Sequence, residues 1–288
     1  MTKSTPVRTE AAPLVVRTLA ELRTLTAGWR RAGETSALIP TMGALHQGHL
    51  ALVRVGQKHA RRTVTSIFVN PTQFAPHEDF ARYPRDEAGD VALLASVGCD
   101  AVWAPSVEEM YRPGAATRII PKGAGLGLET DFRPHFFEGV ATVCCKLFSQ
   151  SEANFAIFGE KDYQQLCVVR QMVRDLDLPI EIVGMPTVRE ADGLAMSSRN
   201  RYLTPADRQT AVLIHKVIVE VAAKVKAGIA PDDATDEANS ALAAAGFNTD
   251  YLAVREARTL QPWQPGSPHP PRVLVAAWLG KTRLIDNV

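Results

Sequence analysis

The chain has 288 residues, 46% of them hydrophobic, with 32 Lys plus Arg against 31 Asp plus Glu. That length suits one large domain or a large domain with a smaller companion, and it can bury a core without disulfide or metal staples. The charge balance argues against a general nucleic-acid binder, which would carry a basic excess, while leaving room for a local basic pocket.

Four cysteines, Cys99, Cys144, Cys145 and Cys167, form no C-x-x-C pair, so the expectation is buried thiols in a reducing compartment. A structural zinc would want paired Cys/His ligands, which are missing. No apolar run approaches the ~18 residues of a membrane span. Residues 1–13 are polar, without the apolar segment of a signal peptide. They read as a disordered lead-in, and the protein as cytoplasmic.

In chain order, short apolar runs rich in Val, Ile and Phe read as buried strands at 36–40, 64–69, 101–104, 155–158 and 180–184. Helical stretches fall between them at 48–62, 87–97, 139–150 and 163–176. Gly98 follows the second helix as a C-cap. Lys58, Arg61 and Arg62 are placed in the last turn of the first, where cations suit the dipole. This alternation predicts a parallel sheet, an α/β class. The pattern changes after Thr187. Thr204-Pro205 opens a long helix to about Lys226, and Pro231 opens another ending near Gly246. Strands follow at 250–254 and 272–278, so the second part reads as a smaller α+β domain over 188–288 after a Rossmann-like domain over 1–187.

The first chemical signal is the junction of the first of these strands with its helix, where Gly43 and Gly48 stand in the connecting loop with His46 and His49. The orphan N–H groups of a helix N-terminus, with its dipole, make an anion site. Histidines three residues apart reach one face, where imidazoles can donate to phosphate oxygens as charge builds. Surface or core histidines are one competing reading, and a metal pair is another. The metal pair lacks the Glu and the spacing of H-E-x-x-H. A P-loop is excluded because no Gly-Lys-Ser/Thr is present.

Other polar groups follow strands. Lys161 stands at a helix start, where a cation opposes the dipole, a placement more often functional than structural. Its neighbour Asp162 reads equally well as a helix cap. Ser197, Ser198 and Arg199 follow a turn at Asp192-Gly193 and suit phosphate oxygens or a capped turn. Asn70 and Gln73 lie at a strand's C-terminal end, where open α/β sheets bind ligands. The glycines of 123–127 lack the G-x-G-x-x-G spacing and read as a flexible connection.

The order P-T-M-G-A-L-H-x-G-H, S-I-F-V-N-P-x-Q-F, Y-P-R, G-E-K-D-Y-Q-Q and D-G-L-A-M-S-S-R-N resembles the pantothenate synthetase family, H-x-G-H nucleotidyltransferases, from about Val16 to Asn287. The resemblance implies ATP-dependent condensation of pantoate with β-alanine through a pantoyl-adenylate, releasing AMP and pyrophosphate. It also implies Mg²⁺, a homodimer and a C-terminal domain acting as a cover. It assigns ATP to Met42, Gly43, Ala44, Leu45, His46, Gln47, Gly48 and His49, to Gly159, Glu160, Lys161 and Asp162, and to Val188, Met196, Ser197, Ser198 and Arg199. His49, His46 and Lys161 take the catalytic roles. Gln73 and Gln165 look like the pantoate ligands, with Gln73 also near β-alanine; Asn70 joins them as a substrate residue from its place at the strand end, and Asp90 matches an acidic position assigned to Mg²⁺. One departure stands out. The family reads R-P-x-H-F-x-G-V, whereas this chain has Phe136 at the histidine position and His135 one place earlier.

Overall fold

The computed structural model describes residues 12–75 and 78–288. The lead-in expected over 1–13 lies outside the described residues except for Ala12 and Pro13, and Pro13 is buried. The elements in chain order are β1 (Leu14–Val16), α1 (Leu19–Arg31), β2 (Ser36–Thr41), α2 (Gln47–His59), β3 (Arg62–Ile67), α3 (Glu87–Ala95), β4 (Ala101–Trp103), α4 (Val107–Met110), α5 (Glu129–Phe132) and α6 (Phe136–Ser151). They continue with β5 (Phe155–Gly159), α7 (Tyr163–Asp175), β6 (Glu181–Met185), α8 (Pro205–Ala211), α9 (Leu213–Lys226), α10 (Pro231–Ala244), β7 (Phe247–Glu256), β8 (Pro271–Leu279) and β9 (Thr282–Asn287).

Two compact units emerge, each discontinuous in sequence. The first comprises described residues up to Thr117, Val143–Phe158 and Leu178–Met185; the second comprises Arg118–Thr142, Gly159–Asp177 and Pro186–Val288. The first carries a six-stranded sheet of order β1-β4-β3-β2-β5-β6. β2 pairs in parallel with β3 on one side and β5 on the other. The order therefore reverses between β2 and β5, and in open α/β sheets the ligand crevice lies at the carboxyl ends of the strands at that point. Its core includes Ala37, Ile39, Leu50, Val53, Leu94 and Ile157. On α2, Leu50 and Val53 repeat at helical spacing, and burying each contributes about 2 kcal/mol. Gly56 lets that helix lie close to the sheet, since a Cβ there would sit 3.3 Å from both Ala37 Cβ and Ile39 Cδ1.

The second unit carries the antiparallel sheet β7-β8-β9. Its core joins Ile214, Val217, Ile218 and Val221 of α9 with Leu242 of α10 and Val273, Val275 and Ala277 of β8. The α/β class, with a further part built on a small antiparallel sheet, is thus the observed architecture, although the second unit is not the smaller of the two.

The structure corrects several bounds. Helix α2 stops at His59 because Ala60 turns to extended backbone (φ −136°, ψ 156°). Arg62 opens β3 instead, its N–H bonded to Thr35 O and its guanidinium to Glu34 and Asp100. The helix expected to run unbroken from 205 to 226 is divided at Val212, whose N–H turns to Thr210 O. Elements β1, α1 and β9 were not anticipated. The signal for α1 was present, since Thr18 and Glu21 form a reciprocal capping box. The 123–127 connection is a tied turn: the Gln171 side chain accepts from Ala124 N, and the Gln164 amide donates to the Ala124 and Gly127 carbonyls.

Candidate active site

At the carboxyl end of β2 the backbone enters a left-handed turn, with φ +80° at Gly43 and +51° at Ala44. Gly43 N–H bonds Thr41 Oγ1, which donates to Ser66 O on β3. Asp90, 3% exposed, then closes the turn. Its Oδ2 accepts from Ala44 N at 2.9 Å and its Oδ1 from Leu45 N at 2.7 Å. A Cβ on residue 43 would lie 2.9 Å from Asp90 Oδ2, so glycine is required there by both φ and space.

The head of α2 is capped by imidazoles. His46 occupies the N-cap, and its Nδ1 accepts from Gly48 N at 3.2 Å. His49 Nδ1 in turn accepts from His46 N at 3.3 Å. This is a capping box in which two histidines replace the usual Ser/Thr and Glu. Each Nδ1 is an acceptor, so each neutral ring carries its proton on Nε2. The two rings lie 4.1 Å apart between centroids. Both histidines stand at the helix head as expected, but the first amide donors are not all open, because the imidazole of His46 itself takes the Gly48 donor.

The same unit gathers the amide pair expected for substrate. Asn70, 1% exposed, donates to Gln73 Oε1 at 3.0 Å, and Gln73 Nε2 reaches Met42 Sδ at 3.2 Å. Asn70 Oδ1 accepts from the hydroxyls of Tyr111 (2.8 Å) and Thr72 (2.9 Å). Tyr111 and Thr72 therefore orient Asn70, which no sequence motif announced. The Y-P-R segment braces its own loop: Arg85 donates to the carbonyls of Tyr83 and Phe80, and the Tyr83 ring meets Phe74 edge-on.

In the second unit, Gly159 and a single turn of Glu160, Lys161 and Asp162 lead into α7. Asp162 stands at the N-cap yet makes no capping bond, so its simple structural reading fails. Lys161 is half-buried and carries no ion pair among the described residues. The paired glutamines separate in role. Gln164 is buried and spends its amide on Glu129 N and on Ala124 and Gly127 carbonyls, whereas the half-buried Gln165 makes no side-chain hydrogen bond among the described residues.

The Val188–Arg199 stretch is a tight reversal in which Met196 N bonds Val188 O and Glu190 N bonds Leu194 O. Asp192 makes an Asx turn to Leu194 N and holds Arg208 at 2.7 Å. The guanidinium beside Asp192 holds its carboxyl below the usual range. Ser197 Oγ caps the following turn by accepting from Arg199 N, and Ser198 is buried.

A buried ionic cluster anchors the segment around Phe136. Glu129 binds Arg133 and Arg283, Tyr251 donates to it at 3.2 Å, and Arg283 reaches Asp250 at 2.7 Å. Burial pushes the Glu129 carboxyl up, but the charges of Arg283 and Arg133 outweigh it and the net shift is downward. His135 is exposed. Phe136 instead offers its ring to Arg133, whose guanidinium stacks on it at 3.9 Å.

The residues around Asp90 do not fit a magnesium site built by the protein. Both of its oxygens accept backbone N–H groups, and among the described residues no three His, Cys, Asp or Glu side chains are grouped to hold a metal ion. No helix of the described residues is long and apolar enough to cross a membrane.

A parallel α/β sheet with an imidazole-capped helix head beside its topological switch defines a class of anion-handling α/β proteins. Comparison with known proteins narrows it. The Pantoate-beta-alanine ligase family model matches residues 14–288, and the chain belongs to that family. Pantothenate synthetase from Mesorhizobium japonicum is 57% identical over 277 residues, covering 96% of this chain and 97% of the relative. That from Caulobacter vibrioides is 54% identical over 280 residues, with 96% and 98% covered. Among solved structures, pantothenate synthetase from Thermus thermophilus superposes with TM-score 0.87 at 45% identity, covering 96% of this chain and 98% of that one. Pantoate-beta-alanine ligase from Francisella tularensis, complexed with an ATP species and β-alanine, gives TM-score 0.81 at 31% identity, with 96% and 97% covered.

Proposed function

We propose that this chain uses ATP to join (R)-pantoate to β-alanine, forming pantothenate with release of AMP and pyrophosphate. The observation that carries the reading is the reciprocal imidazole cap at the head of α2, in a chain matched by the family model over 14–288. In the first step the pantoate carboxylate attacks the α-phosphorus and pyrophosphate leaves. His46 and His49, with protons fixed on Nε2, act as neutral donors to phosphate oxygens gaining charge. Met42, Gly43, Ala44, Leu45, Gln47 and Gly48 give the nucleotide its backbone bed. Lys161 supplies a point charge. Gly159, Glu160 and Asp162, with Val188, Met196, Ser197, Ser198 and Arg199, are assigned to the same nucleotide.

In the second step the β-alanine amine attacks the adenylate carbonyl and AMP departs. No side chain becomes covalent, so catalysis is positioning plus electrostatics. Asn70, Gln73 and Gln165 hold pantoate. Magnesium is assigned to the nucleotide's own phosphates rather than to Asp90. A cytoplasmic homodimer, and a functional division of the chain near residue 187, are part of the same reading; light scattering on the purified protein tests the dimer.

The test of the adenylation step is pantoate-dependent exchange of labelled pyrophosphate into ATP. Lys161→Ala abolishes it while the circular dichroism spectrum stays that of the wild type. Wild-type exchange in that variant removes Lys161 from the mechanism. A wild-type protein that binds ATP but supports neither exchange nor pantothenate formation sinks the enzymatic reading itself.

A further inference from the structure

We propose that Asn287, backed by Asp286, is a positioning residue for adenylation: it holds the Lys161 turn and ties it to the Val188–Arg199 reversal. The inference rests on the assignment of Lys161 to the ATP phosphates.

The turn at Glu160, Lys161 and Asp162 has no side-chain cap of its own. Its carbonyls are held from β9. Asn287, 3% exposed, donates through Nδ2 to Glu160 O and to Lys161 O, both at 2.9 Å. Its Oδ1 accepts from Arg272 Nε at 2.8 Å and from Arg272 Nη2. An amide has two donors and an acceptor oxygen with two lone pairs, and all are used here. Arg272 is itself fixed, stacking on the Tyr163 ring at 4.1 Å and reaching Glu160 Oε2 at 3.4 Å. Tyr163 donates to Ala257 O at 2.8 Å.

The neighbouring Asp286, 2% exposed, grips Arg189 through two bonds of 2.6 and 2.9 Å. Arg189 also donates to Gly193 O at 3.1 Å, inside the reversal that carries Met196–Arg199. Asp286 Oδ1 accepts from Asn287 N at 2.8 Å. One dipeptide on β9 thus sets the backbone of both phosphate-directed segments of this unit. A carboxylate at 287 could not do so, because it accepts only and would face two carbonyl oxygens. A hydrocarbon of similar size would remove both of these hydrogen bonds to the turn. A charge displaced by about 1 Å costs on the order of 100-fold in rate, which is the reason to fix Lys161 from its backbone.

The experiment is Asn287→Asp in the full chain, with steady-state pyrophosphate exchange as readout. The expected result is a fall in kcat of about 10- to 100-fold, with KM for pantoate within about twofold. In a Lys161→Arg background, where the charge is already misplaced, the same substitution costs far less than in the wild type. Asn287→Ser, which keeps one donor, gives an intermediate rate and serves if the aspartate variant fails to fold. Exchange within about threefold of wild type in a folded variant overturns the inference. So does a loss that multiplies fully with that of Lys161→Arg, since the residue would then act independently of the lysine. If Lys161→Ala is itself wild-type-like, the Lys161 assignment fails first. If Lys161→Ala is dead and Asn287→Asp is not, only the positioning role falls.

Discussion

Replacing Asp90 with Asn separates a clamp on the nucleotide turn from a metal ligand. The wild-type carboxylate takes two backbone N–H groups, at 2.9 and 2.7 Å, in a buried setting. Hydrogen bonds to a charged acceptor contribute about 1.5–3 kcal/mol each. An asparagine keeps one acceptor and turns its NH₂ toward the other N–H, so one bond is lost and one buried donor is left facing another. The turn is already left-handed at Gly43 and Ala44, and nothing in the amide compensates. A net loss of about 3 kcal/mol follows, and if it falls wholly on the geometry that receives ATP it is worth roughly 150-fold. The assay is pantoate-dependent pyrophosphate exchange at saturating pantoate, with ATP and Mg²⁺ titrated independently. The expected result is a loss near that size that does not recover as Mg²⁺ is raised. Recovery with excess Mg²⁺ would make Asp90 a metal ligand and refute the clamp; a loss under threefold would refute the magnitude.

Two further outcomes are expected. Glu129 has a depressed folded-state pKa, so its ion pairs stabilise the fold in full above the ordinary carboxylate value of about 4.5, and the contribution is lost as pH falls through the lower folded value. Glu129→Gln therefore lowers stability at pH 7 by about 3 kcal/mol, read as a lower urea midpoint, and flattens the fall of that midpoint as pH drops below about 4.5; an unchanged acid slope would show that Glu129 does not carry it. Burial pushes the Cys144 thiol up to about 12 and the Cys167 thiol up to about 11. Cys99 is buried and raised as well, leaving Cys145 the most accessible of the four. A thiol reagent at pH 8 should then react rapidly with no more than one cysteine in the native protein and with all four in denaturant; a second fast thiol would contradict the burial.

Local order set much of this molecule. The short apolar runs at β2, β3, β4 and β5 were readable because both faces of an interior parallel strand are buried, so hydrophobicity runs continuously, whereas β6 at the sheet edge is only partly buried. The glycines and histidines after β2 were readable because a strand, a tight turn and a helix head must be adjacent in sequence. Helix α1 was readable in principle from Thr18 and Glu21. Strand β1 has three residues and β9 alternates weakly; each exists because a neighbour strand supplies its hydrogen bonds.

Roles that depend on distant partners were not in the sequence at all. Asp90 is an acid on a helix until the fold sets it beneath Ala44 and Leu45, 46 and 45 residues away. Gln164 and Gln165 are identical neighbours until α7 buries one and half-exposes the other. Phe136 is a missing histidine in the motif, and only packing shows that its ring carries Arg133. The same holds for Asn287, whose amide meets Glu160 and Lys161 across 127 and 126 residues. Periodicity and turn chemistry act over a few residues, so the sequence by itself determined the interior strands β2–β5, the helix heads and the phosphate-directed motifs. Which acid braces a turn and which amide is spent on backbone depends on groups brought together only when each unit folds, and that the tertiary structure decided.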